Sequence, residues 1–291
     1  MSDAADIATL APNAPASAPG LPWRRWVSQA GAVIRLDLRK GFRRPVLLLL
    51  LAAAPVAIAL IRVLFSAHAV HDRSDVAEGT NFYAWMYQVL ILRLELFLAG
   101  VAVFGNLIRR EVLDRTLHYY FLSPIRRELL VAAKYLTGVL VTFTLFGLST
   151  LISFVLAYLP HDWTVVSKFL FHGPGLHQLG SYLLVTFLAC VGYGAVFLTL
   201  GFFFKSPAVP ALGMFAWESI HFLLPPLLKQ FSVIHYLQSL CPVPISEGPL
   251  AVLSDAPSPW VSVVGLIVLA VALVAVSGWR IRGMEISYDE S

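Results

Sequence analysis

The chain has 291 residues, of which 58 % are hydrophobic and 13 % charged, with a mean hydropathy of +0.76. These values lie outside the range of soluble domains and leave no room for a separate soluble enzyme unit. The formal charge of +4 does not point to nucleic acid, because the basic residues gather at the ends of hydrophobic runs, as membrane topology signals do.

Residues 1–21, rich in Ala and Pro, lack a basic segment followed by an apolar one, so they are expected to be a disordered cytosolic tail rather than a cleaved signal. Residues 22–44 open with Pro22 and place Trp23, Trp26, Val27, Ala30, Ile34 and Leu38 mostly three or four apart, with arginines elsewhere. That spacing predicts an amphipathic helix lying in the membrane interface. Six runs then reach or approach the roughly 20 residues a spanning helix needs: about 45–65, 83–107, 131–158, 179–204, 208–228 and 260–279. The expected fold is therefore an all-α polytopic membrane protein, with a six-span domain over 45–279. Between the fifth and sixth runs, 229–259 is broken by Pro242, Pro244 and Pro249 and is expected to hold short re-entrant or interfacial helices on the outer side. Residues 280–291 form a C-terminal tail. Under this topology sixteen of the 21 Lys and Arg fall on the side of the N-terminus, which puts both termini in the cytosol of a bacterial inner membrane by the positive-inside rule.

The cytosolic loop 109–134 is the main hydrophilic surface after the N-terminal arm. Glu111 and Arg115 form an i,i+4 pair in the favourable order. Ser123-Pro124 reads as an N-cap and first turn of a new helix bearing Arg126, Arg127 and Glu128 before the chain enters the membrane at Lys134. Leu117, Tyr119, Tyr120, Phe121 and Leu122 are too apolar for a loop that only supplies topology charges, so a docking surface is expected.

The succession Glu111, Thr116-Leu117, Leu122, Ser123-Pro124, Arg126-Arg127 and Lys134, set in this order of helices, resembles the membrane subunits of ABC-2-type transporters. The resemblance implies an exporter permease that carries no ATP itself. Its loop would be a coupling helix seated on a separate cytosolic ATPase, two permease copies would meet around the pathway, and the substrate would be amphipathic or hydrophobic. Arg115 departs from the glycine often found there. The coupling residues so implied are Glu111, Arg115, Leu117, Tyr120, Phe121, Pro124 and Arg126. The chain has no GxxxxGK[ST] phosphate loop, so ATP and Mg are expected on the partner.

Arg93 and Glu95 fall near the middle of the second run and Glu218 near the middle of the fifth, with Trp217 beside it and His221 one turn on. Charges at that depth are costly, so they should face the bundle interior or a wet cavity, and Glu218 is a candidate partner for Arg93. The readings are an ion pair that locks helices or a polar contact on the pathway. Seven of the eight histidines (His68, His71, His161, His172, His177, His221 and His235) fall in the outer half, but their spacing matches no compact ligand motif, and no metal is expected. Cys190 and Cys241 lack ligand or CxxC spacing and read as packing residues. Gly192, Gly194, Ala195 and Gly201 read as a surface for close helix packing. Two other functional classes, an intramembrane lipid-modifying enzyme and a non-transporting anchor or sensor, compete with the permease reading.

Overall fold

The computed structural model describes residues 23–40, 45–66, 73–105, 107, 126–204, 206, 208–220, 223–229, 232–245 and 257–282. Among them there are only helices: α1 (Trp23–Lys40), α2 (Pro45–Leu64), α3 (Val76–Met86), a π-helical segment (Tyr87–Glu95), α4 (Leu96–Phe104), α5 (Arg127–Tyr158), α6 (Trp163–Phe171), α7 (Gly175–Phe203), α8 (Ala208–Ser219), α9 (Pro226–Lys229), α10 (Val233–Ser239) and α11 (Pro259–Arg282). Five stretches are long and apolar enough to cross a membrane: Val46–Leu64, Val76–Phe104, Arg127–Tyr158, Gly175–Phe203 and Pro259–Ile281. The chain is thus an all-α, multi-pass membrane protein.

The fifth expected run departs from a simple span. Within 208–228 the regular helix is α8, Ala208–Ser219, twelve residues long, which rises about 18 Å against a hydrocarbon core of roughly 30 Å. Pro225 and Pro226 follow, and a residue preceding proline is steered out of the helical region. Among the described residues, only the four-residue α9 comes before the next longer helix, α10. Phe215 packs on Phe97 with ring centroids 5.3 Å apart, and Glu218 lines one cavity with Arg93, so α8 runs antiparallel to α4 up to mid-depth. Val233 lies against Gly192, and the Ser239 hydroxyl meets that of Ser262 at 2.8 Å near the start of α11. Gly192 lies about 25 Å along α7, so α10 rises from the bundle middle to the far end. Re-entrant helices were expected only in 229–259; α8 and α10 together form a broken traverse instead.

Burial sets the roles of the long helices. The apolar windows of Val76–Phe104 and Gly175–Phe203 are 61 % and 67 % buried, against 28 % for the first and last spans, so the second and fourth form the core and the outer two present bare apolar faces. Two devices bind that core. One is an aromatic cluster: Tyr83 meets Phe154 and Tyr182 edge-on at 5.0 Å each, and Tyr87 lies 4.5 Å from Tyr182. Each such pair contributes about 0.5–1.5 kcal/mol beyond its area. The hydroxyls are also used, since Tyr83 donates to Thr150 O at 3.0 Å and Tyr87 to Tyr182 O at 2.9 Å. The other is close approach at small residues. A Cβ on Gly201 would lie 2.6 Å from the Gly105 carbonyl oxygen, and one on Gly194 or Gly138 would meet the Phe104 ring at 2.8 or 2.6 Å. The packing role expected for Gly192, Gly194 and Gly201 is therefore seen.

Candidate functional site

At the near end, where α1 lies, the start of α5 is anchored to the connecting helix. Lys134 Nζ donates to Asp37 Oδ2 at 3.0 Å with only 3 % and 17 % of the side chains exposed. Arg126 stacks its guanidinium 4.4 Å over the Trp26 ring. Arg127 Nη1 reaches the Ile281 carbonyl at 3.4 Å, and Gly278 packs on Glu128, so α11 joins the same cluster. The remaining coupling residues, Glu111, Arg115, Leu117, Tyr120, Phe121 and Pro124, lie outside the described residues, as does Ser123; the helix expected to start at Ser123-Pro124 instead begins at Arg127, with an extended Arg126 as its N-cap. What is described is the seat on which their loop stands: α5 begins at Arg127, and Lys134 lies two turns inside it. An ion pair this buried is not a topology charge alone. It links the loop's exit helix to α1 rigidly.

At mid-depth the second span changes character. Over Tyr87–Glu95 the backbone is π-helical, and its last bond runs from the Leu96 N–H back to Ile91 O. Such segments mark interruptions of the ordinary ladder that often accompany functional sites. Besides the Tyr87 hydroxyl already placed in the core, it carries three polar groups with different fates. Gln88 Nε2 donates to Val243 O at 2.7 Å, tying the segment to the chain beyond α10. Arg93 lines a cavity of about 270 Å³ with Val89, Leu94, Phe215, Glu218, Ser219 and Ile234. Glu95 is fully buried, and neither of its carboxyl oxygens has a hydrogen-bond partner.

Glu218 is handled differently. Its carboxylate accepts from Ser232 Oγ at 2.6 Å, from the Val233 N–H at 3.0 Å and from the Ile234 N–H at 3.2 Å. It therefore caps the N-terminus of α10 from a different helix, which satisfies donors that a helix start leaves open. Glu218 lines one cavity with Arg93, and it also splices the broken traverse. Trp217 is half-buried next to it, and His221 lies outside the described residues.

A family model described as ABC-2 family transporter protein matches residues 33–216, well over half of the chain. The chain belongs to the ABC-2 transporter family. No curated protein and no solved structure matches it. As an ABC-2 transporter membrane domain it is a multi-pass permease. The matched stretch runs from the connecting helix through the π-helical segment and the 109–134 loop to Ala216 within α8. It stops one residue before Trp217, so Glu218 and the cap it supplies lie just beyond.

Three features escaped the sequence reading. The π-helical segment has no residue signature, since its apolar pattern is that of any span. The helix α6 occupies the gap between the third and fourth expected runs, where no element was expected. At the far end, Arg62 is tied into the bundle by the Ala157 carbonyl at 3.0 Å, by Glu78 at 3.5 Å and by stacking 4.4 Å over Phe82. The fourfold spacing of Glu78 and Phe82 was the available signal for a partner to Arg62.

Proposed function

We propose that this chain is the permease half of an ATP-binding-cassette exporter, working as a pair of copies in the bacterial inner membrane with both termini in the cytosol. The observation that carries the reading is the near-end clamp. Lys134 and Arg126 hold the first turns of α5 to Asp37 and Trp26 of α1, so a push on the loop preceding Arg126 moves α1 and α5 as one body. A separate cytosolic ATPase docks on that loop through Glu111, Arg115, Leu117, Tyr120, Phe121, Pro124 and Arg126. Its ATP-driven closure supplies the force, and ATP and Mg stay on the partner.

Movement at the near end reaches mid-depth through α4, which packs between α5 and α7 and ends the π-helical segment. There the pathway passes the cavity lined by Arg93 and Glu218, next to Trp217, with Glu95 buried on the same segment. Packing that is bistable rather than elastic converts a small displacement into opening or closing of such a cavity. The substrate is amphipathic or hydrophobic, because a path with few charges and bare apolar flanks suits a molecule that already partitions into lipid. The exposed apolar faces of α2 and α11 are left for lipid and for the second copy.

Co-purification tests this reading. A soluble protein with a phosphate loop should be retained by the wild-type chain and lost from the Arg115→Glu, Arg126→Glu double variant, with the bundle still folded by circular dichroism. Retention by the double variant, or substrate turnover by the purified chain without any ATPase, contradicts it.

A further inference from the structure

The mid-depth cavity of about 270 Å³ has two unlike walls. Arg93, Glu218 and Ser219 form a polar one, and Val89, Leu94, Phe215 and Ile234 an apolar one. Ile234 is buried, whereas Val89, Leu94 and Phe215 are each 38 % exposed. The cavity therefore opens sideways between the π-helical segment and α8, through an apolar mouth, at a depth where a bilayer is hydrocarbon.

The polar wall decides what the cavity can hold. Glu218 accepts from the Val233 N–H on Oε1, and from Ser232 Oγ and the Ile234 N–H on Oε2. A carboxylate has roughly four acceptor positions, so there is room for about one more donor. The Ser219 hydroxyl donates to the Phe215 carbonyl at 2.7 Å. Arg93 is half-buried and brings a guanidinium, which has several N–H donors in a rigid fork and no acceptor. Even with one contact to Glu218, the wall holds donors in surplus, and an occupant must supply acceptors. A cationic group would set a second positive charge beside Arg93. An acidic group gains charge-assisted, paired hydrogen bonds, at a depth where a guanidinium is otherwise costly. The volume falls just below the usual range of small-molecule sites, which suits a compact head group and not a sugar or peptide chain.

We propose that this cavity receives the small acidic head of an amphiphile, a phosphate or carboxylate held by Arg93, while its apolar chain leaves past Val89, Leu94 and Phe215 into the bilayer. The transport reading is needed for this ligand to be the cargo, and not for its binding.

The test uses the full chain in phosphatidylcholine nanodiscs with three photoactivatable amphiphiles. They share one alkyl chain, with a diazirine next to the head, and carry a phosphate monoester, a trimethylammonium or a diol. Adducts are mapped by peptide mass spectrometry and expressed relative to those on α11, which corrects for the amount of each probe in the bilayer. The phosphate probe should label 89–94 and 215–219 at least fivefold more than the other two, and excess inorganic phosphate should not compete. Arg93→Gln should remove the preference, and Arg93→Lys should retain part of it. Leu94→Trp, which narrows the mouth and leaves Arg93 in place, should lower the labelling at least threefold. Three results overturn the proposal: equal labelling by the three heads, no labelling of either segment because a second copy covers the mouth, or loss of labelling to inorganic phosphate. A preference untouched by Arg93→Gln in a chain that melts as the wild type does also overturns it. If that variant melts lower, unchanged labelling in Leu94→Trp decides against the proposal instead. With the ATPase assembled, the phosphate probe should also raise ATP hydrolysis. Stimulation by the ammonium or diol probe alone would overturn the acidic head and leave the exporter reading standing. Labelling without stimulation would uphold the site and count against the exporter reading.

Discussion

The π-helical segment and the break between α8 and α10 face each other at mid-depth, and each brings a carboxyl into the bundle, with opposite outcomes. At the break, Glu218 takes three hydrogen bonds and holds two half-helices together. In the π-helical segment, Glu95 takes none. The contrast separates two uses of a buried acid. A carboxylate whose lone pairs are filled by backbone donors at a helix start is a splice, and its removal is a matter of folding. A buried carboxyl with no partner contributes nothing to cohesion, so its presence in a bundle of limited stability points to what the bundle does.

Removing the splice should have the largest effect on stability. Glu218→Leu leaves two backbone N–H groups and the Ser232 hydroxyl without their acceptor, at about 1–3 kcal/mol for a buried unsatisfied group. The expected result is a fall of several degrees or more in the melting temperature in nanodiscs and faster proteolysis in 220–232, with Glu218→Gln intermediate. If Glu218→Leu melts as the wild type does, the splice is not what holds α10.

Gly201→Ala comes next. The added methyl would meet the Gly105 carbonyl rather than a movable side chain, and overpacking of this kind costs about 1–3 kcal/mol. Thermal melting should register it, while Gly213→Ala, with open space around it, should be close to neutral.

Glu95 should behave in the opposite sense to Glu218. Glu95→Leu removes a buried polar group that has no partner to orphan, so the melting temperature should hold or rise. Substrate-stimulated ATP hydrolysis by the assembled transporter should nonetheless fall at least tenfold. A variant that loses stability and keeps transport would place Glu95 with Glu218 and dissolve the contrast.

The near-end clamp lies between these extremes. Lys134→Ala strands Asp37 in a partly buried position, and a loss of about 1–2 kcal/mol is expected, larger than for a surface pair. Its signature is a split: ATPase binding retained, and transport per ATP reduced.

The smallest effect is a pH dependence at the far end. Because the folded His161 pKa lies below the ordinary value of 6.5, the native state binds fewer protons than the unfolded state in that window. Stability from this group is complete above about pH 6.5 and is lost as pH falls through the folded value. Melting temperatures measured between pH 7.5 and 5 should fall more for the wild type than for His161→Phe, and parallel curves would show that His161 contributes nothing to the slope.

Most of the architecture was legible in the sequence. The connecting helix and four of the spans came out within a few residues of expectation at most ends, because long apolar runs bounded by basic residues have few alternative folds. The second span was the poorest, starting seven residues before its expected edge because Asp75 and Glu78 mask the apolar pattern there while Asp75 caps the helix by accepting from the Ala77 N–H at 2.8 Å. The broken fifth run was the larger miss. Its composition up to Leu228 is that of a span, and only the contacts of Glu218 with Ser232, Val233 and Ile234, fourteen to sixteen residues on, show where the helix stops and what replaces it. Mid-span charges flagged the right depth, because a charge there must be explained. They could not say which acid was satisfied, since that depends on donors brought from a distant part of the chain.

The central claim is that force arriving at the near end rearranges the mid-depth cavity. It is tested most directly by placing a cysteine at Trp217, in a background with Cys190 and Cys241 replaced by serine, and measuring its rate of modification by a water-soluble maleimide in the assembled complex. The account predicts that ATP changes the rate at least fivefold, and that the change disappears when Lys134→Ala and Arg126→Glu uncouple α1 from α5. An identical rate with and without nucleotide, in a complex that hydrolyses ATP, would contradict it.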